Sequence, residues 1–142
     1  MNKKILFPNE NIWSTKLFTV GQDWETPISG FFIIAPVRKI RSISEFTDEE
    51  AAEFMNIIRN VRKGMKKILN IEEVYIFQNE DTEHNFHVWI FPRHPWMEKF
   101  GRKIESVRPI MEYAKKDMMR DDIFKEVKEY VKKMKKYMTD TP

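Results

Sequence analysis

Strands, then a helix, then strands, then helices: this order along the chain predicts an α+β fold. Three observations carry it. Thr47 with Glu50 forms a capping box just ahead of an apolar stripe at helical spacing. Residues 72–78 and 85–91 are both strand-like and lie too close in sequence for a parallel crossover, so they pair antiparallel. After Gly101 the pattern turns to two amphipathic helices.

The elements follow in order. "KLFTVGQDW" (16–24) and "SGFFIIAPVRK" (29–39) are expected as two strands around a turn at Thr26-Pro27. Phe31 to Ala35 is a continuous apolar run, the mark of a strand buried on both faces. Pro36 ends it, because proline donates nothing to a ladder. The capped helix begins at Thr47, keeps Phe54, Ile58, Val61, Met65 and Ile68 on one face, and stops near Asn70. "EEVYIFQ" (72–78) and "NFHVWIF" (85–91) form the second hairpin around "EDTE", and Pro92 closes it. Ile104, Val107, Ile110/Met111, Ala114 and Met118 mark one helix, with Pro109 tolerated in the first turn if Ser106 caps it. Ile123/Phe124, Val127, Tyr130/Val131, Met134 and Tyr137/Met138 mark another, with a lysine-rich opposite face.

The 142 residues suit one domain, 1–142, with the sheet and long helix in 1–100 and a C-terminal helical extension in 101–142. No apolar run approaches the ~18 residues of a membrane span. The opening "MNKKILFPNE" has too short an apolar stretch for a secretory signal, so a cytoplasmic location is expected. With Cys 0 there is no disulfide and no thiolate chemistry. A net charge of +3 suits an anionic ligand or simply a lysine-rich surface. The lysine-rich tail lacks the interleaved aromatics of a nucleic-acid surface, so nucleic acid is not an expected partner.

All three histidines lie in "EHNFHVWIFPRHPW", residues 83–96. Strand alternation puts Phe86, Val88 and Ile90 on one face and Asn85, His87 and Trp89 on the other. The first set belongs in a core. The second is polar, titratable and aromatic, as a site wall is. On a regular strand His84 and His87 point to opposite sides, so no metal site is expected from them; no cofactor is expected either.

"NFHVWIFPR" resembles the signature of the histidine triad (HIT) superfamily, His-φ-His-φ-His-φ-φ, often followed by Pro-Arg. Anchored on Pro92-Arg93, the triad positions are Asn85, His87 and Trp89. "DWETPISGFFIIAPVRKI" (23–40) is similar to the family's earlier signature, with Asp23, Gly30, Ile33, Ile34 and Pro36 on matching positions. The resemblance covers most of the first hundred residues and includes the order strand, helix, strand, strand.

The resemblance implies a HIT-like, mainly antiparallel sheet with a long helix after the first hairpin, plus C-terminal helices. It implies His87 as a nucleophile that attacks the α-phosphate of a nucleotide and forms a nucleotidyl-histidine, resolved by water or another acceptor. The ligand would be a nucleotide or dinucleoside polyphosphate, as in diadenosine tetraphosphate hydrolase, and the assembly a homodimer. Asp23 would hold the ribose, and Thr82, Asn85, Trp89 and Arg93 would contact the substrate. In the family the histidine's second nitrogen is oriented by a backbone carbonyl of the same strand, which survives side-chain replacement. The departures are Asn85 and Trp89 for the outer triad histidines, Phe31 and Lys39 for two others, and Pro27 displaced by one. The resemblance implies that the outer histidines help bind phosphate and protonate the leaving group, whereas Asn85 can donate a hydrogen bond but carries no transferable proton. His94 is the candidate auxiliary acid. Two functions follow: a nucleotide hydrolase or transferase, or a catalytically impaired nucleotide-binding protein.

Overall fold

The protein, as a computed structural model, is described for residues 5–141. The opening basic pair and Pro142 lie outside the described residues. One antiparallel sheet runs in the order β1-β2-β3-β5-β4. Its strands are β1 (Asn11–Ser14), β2 (Phe18–Gln22), β3 (Phe32–Pro36), β4 (Val74–Phe77) and β5 (Val88–Pro92). The helices are α1 (Asp48–Leu69), α2 (Val107–Asp117) and α3 (Asp121–Asp140).

The expected strands and helices are all present, with one added strand and three short 3-10 turns. β1 is a short edge strand whose pairing with β2 slips between Asn11 and Trp13, so its alternation is broken. α1 starts where its capping box places it. Thr47 accepts from the Glu50 amide at 3.1 Å and the Glu50 side chain accepts from the Thr47 amide at 2.8 Å. Arg38 doubles the hold on Glu50 with a bond of 2.8 Å. Asn70 ends the helix in the left-handed conformation, φ 57°.

The period-two pattern sorts the sheet into two faces. Phe32, Ile34, Phe86, Val88 and Ile90 pack against Phe54, Val61 and Met65 of α1 and Val131, Met134 and Met138 of α3. The helical extension is thus part of the main core. α1 and α3 approach closely at Gly64, where a Cβ would stand 2.6 Å from the Tyr137 ring. Phe31 and Phe91 face the other way, into a second core with Met97 and with Ile110 and Ala114 of α2. The run from Phe31 to Ala35 is not buried on both faces throughout: Ile33 and Ala35 are half-buried, because on that side they floor a cleft. Ser106 starts α2 without capping it. Its hydroxyl donates instead to the Lys103 carbonyl at 2.7 Å, and a short 3-10 turn, Ile104–Ser106, leads into the helix.

Candidate active site

The cleft lies on the sheet face that α1 and α3 leave open. It encloses about 500 Å³ and is lined by Asp23, Trp24, Ile33, His84, His87 and Trp89, among others. A smaller cavity of about 160 Å³ adjoins it, lined by Phe77, Asn79, Thr82, His84, His87 and Trp89. His84, His87 and Trp89 belong to both and stand between them.

His87 immediately precedes β5. Its Nδ1 lies 2.9 Å from the Asn85 carbonyl oxygen. A carbonyl only accepts, so the neutral imidazole holds its proton on Nδ1 and its lone pair on Nε2. This backbone contact needs no particular side chain at Asn85. Trp89 sits 6.4 Å from His87, ring to ring, and is wedged edge-on between Phe31 at 5.4 Å and Phe77 at 6.2 Å.

Asp23 lies between β2 and β3. One carboxylate oxygen accepts from the Thr26 amide at 3.0 Å and the Glu25 amide at 3.3 Å, turning the chain toward β3. Burial raises its pKa above the ordinary carboxylate value, and the hydrogen bonds from Thr26 and Glu25 offset part of that rise. Asp23 also lines the cleft. Gly30, at φ 82°, makes the following turn, where a Cβ would meet Ile71 at 2.7 Å.

Of the residues expected around the site, His87, Asp23 and Trp89 line the main cleft and Thr82 lines the smaller cavity. Three are placed elsewhere. The Asn85 side chain is exposed and lines neither cavity: it precedes the regular strand and does not follow the alternation that Phe86 and His87 keep. Arg93 is buried at the end of β5 and donates to the Gly101 carbonyl at 3.0 Å, Ser106 at 3.3 Å and Glu98 at 3.3 Å. It braces the turn Pro95–Phe100 and is not a wall of the cleft. His94 faces α3. Its Nε2 donates to the Ser29 carbonyl at 2.6 Å and its ring meets Tyr130. Burial lowers its pKa, with the Ser29 contact and the Glu126 charge opposing. Neither residue is available to a ligand in the cleft.

His84 is the residue that strand reasoning misplaced. β5 begins only at Val88, so residues 84 and 85 are not bound to alternate, and the His84 and His87 rings both face the cavities at 6.0 Å. Arg41 holds the loop carrying His84. It donates to the carbonyls of His84 and Glu80, each at 3.0 Å, and to that of Thr82. Among the described residues no three His, Asp or Glu side chains gather as metal ligands. No described helix is long and apolar enough to cross a membrane.

No family model and no curated protein matches the sequence. Solved structures match the fold. A HIT-like protein involved in cell-cycle regulation from Bartonella henselae superposes with a TM-score of 0.62 at 15% identity, over 94% of this chain and 87% of that one. A hypothetical histidine triad nucleotide-binding protein from Sulfolobus tokodaii gives 0.62 at 14% identity, over 92% and 85%. The NitFhit protein of C. elegans gives 0.55 at 20% identity over 74% of this chain, which spans about a quarter (26%) of that longer protein. The chain has the histidine triad fold.

Proposed function

We propose that this protein is a nucleotide hydrolase or nucleotidyl transferase that acts at the α-phosphate of a mono- or dinucleoside polyphosphate through His87. One observation carries the reading: His87 Nδ1 is tied to the Asn85 carbonyl at 2.9 Å, which in the neutral ring puts the lone pair on Nε2, in a cleft that also contains Asp23. A nucleophile needs that lone pair and that orientation. The Sulfolobus structure is described as nucleotide-binding, and a shared fold supports a nucleotide ligand here. In this reading the nucleoside occupies the larger cavity, its base against the apolar surfaces of Trp24 and Ile33 and its ribose on the Asp23 carboxylate. The leaving group passes into the smaller cavity beside Thr82. A homodimer and a cytoplasmic location go with it.

The reaction balances without a cofactor. Nε2 bonds to phosphorus as the bond to the leaving oxygen breaks, and that oxygen takes the electron pair. Water then attacks phosphorus, loses a proton, and His87 departs neutral. The alternative is a binding protein without turnover, favoured by Asn85 and Trp89 at the outer triad positions. Incubation with a nucleotide panel, followed by mass spectrometry for bound and cleaved species, separates the two. His87→Ala should abolish cleavage and leave the fold intact. Cleavage that persists in that variant removes the mechanism, and binding without cleavage by the native protein favours the alternative. Light scattering tests the dimer.

A further inference from the structure

We propose that His84 is the proton donor to the leaving group, in place of the outer triad histidines this chain lacks. The proposal rests on the nucleotide-cleaving reading above. Asn85 is exposed and outside both cavities, Trp89 has no transferable proton, and His94 is engaged with Ser29. An acid is therefore missing where the resemblance expects one. His84 supplies an imidazole that lines both cavities.

Its placement fits the task. The two rings are 6.0 Å apart, centroid to centroid. Attack needs a nucleophile about 3–3.5 Å from phosphorus, and proton transfer needs an acid roughly 2.6–3.2 Å from the leaving oxygen. A phosphoryl group at the junction of the cavities meets both demands, with His87 on one side and His84 beside the departing atom. The main-chain position is set independently of any ligand. The His84 carbonyl accepts from Arg41 at 3.0 Å and its amide donates to Thr82 at 3.3 Å, while the imidazole stays directed at the cavities.

The proton count closes. As His87 bonds to phosphorus, protonated His84 gives its proton to the leaving oxygen, which departs protonated, as part of a phosphate or polyphosphate from the proposed substrates or as a phenol from an aryl ester. Neutral His84 then takes a proton from the water that attacks phosphorus, and both histidines return to their starting states.

The test compares phenyl and p-nitrophenyl esters of the four ribonucleoside 5′-monophosphates, matched in shape and different in leaving-group basicity. His84→Gln should lower kcat for the phenyl esters by about 10²-fold or more and change the p-nitrophenyl esters by less than about threefold, because an acid helps most where the leaving group is poor. Added imidazole should restore phenyl-ester cleavage to His84→Ala. A merely structural role would lower both esters alike. Equal loss on both, or no loss on either, overturns the assignment while leaving His87 in place. No cleavage of any ester by the native protein overturns the proposed function and this assignment with it.

Discussion

Asp23 offers a measurement in which loop architecture and ligand recognition can be separated. One of its oxygens accepts from the Thr26 and Glu25 amides, so the carboxylate holds the loop as well as lining the cleft. A hydrogen bond to a charged group contributes roughly 1.5–3 kcal/mol, which at 1.4 kcal/mol per decade is about 10- to 150-fold in affinity. Asp23→Ala removes that bond and also releases two loop amides. Its total effect therefore exceeds the ribose contribution. A cycle over protein and ligand isolates the second: native and Asp23→Ala protein, each titrated calorimetrically with a ribonucleotide and its 2′- and 3′-deoxy counterparts. The loop penalty is common to all ligands and cancels. The native protein should prefer the ribonucleotide over one deoxy analogue by the amount above, and Asp23→Ala should bind the pair about equally. A preference that survives in Asp23→Ala would refute the ribose assignment, whatever the variant does to absolute affinity.

Burial raises the Asp23 pKa, so folding favours its protonated form. That stability is complete below the unfolded pKa and lost as pH rises through the folded one. Asp23→Asn should therefore raise the melting temperature at neutral pH, and the gain should shrink on acidification. Glu50 has the opposite sign: hydrogen bonding from Arg38, then from Thr47, lowers its pKa to about 2, so stability it contributes above the ordinary 4.5 is lost as pH falls between those values. Glu50→Gln should flatten that part of the acid-unfolding curve. Thr47→Ala should cost about 0.5–2 kcal/mol by urea denaturation, as loss of a helix cap does. Gly64→Ala gains helix propensity but overpacks against the Tyr137 ring, with a typical overpacking cost of 1–3 kcal/mol; Tyr137→Ala in the same chain should relieve it.

Local chemistry was legible in the sequence where it acts over a few residues. Thr47, Glu50 and Asn70 gave both ends of α1, because caps are short-range. The face formed by Phe86, Val88 and Ile90 followed from the strand period, and with it the placement of His87 and Trp89 opposite. What escaped depends on where regular structure starts and on partners distant in sequence. Alternation reaches back ahead of β5 only as far as Phe86, and extending it further misplaced His84 and Asn85. Arg93 was legible as a cation near the site, but its partners Glu98, Gly101 and Ser106 are assembled only by the turns that follow. β1 gave no periodic signal, because the register slip between Asn11 and Trp13 breaks its alternation.

The same geometry bears on restoring the triad. Replacing Asn85 and Trp89 together by histidine treats the two positions as equivalent, and they are not. Asn85 is exposed outside both cavities, whereas Trp89 lines both, 6.4 Å from His87. Asn85→His should leave cleavage of a poor leaving group, such as the amine of a nucleoside phosphoramidate, close to the native rate. Where His84→Gln has removed the native donor, Trp89→His places an imidazole within the cleft and should accelerate that substrate, while a substrate releasing a polyphosphate should change little, because a positioned acid matters least for a leaving group stable as an anion. Stability should fall, since the smaller ring gives up contacts with Phe31 and Phe77. Full truncation of a buried Trp costs about 3–5 kcal/mol, so a half-buried Trp→His should cost less. Rates for both substrates in Asn85→His, His84→Gln and His84→Gln/Trp89→His, with melting curves alongside, decide the matter. Acceleration by Asn85→His alone would mean that residues 84–87 rearrange into regular strand when the ligand binds, with Asn85 turned into the cleft after all.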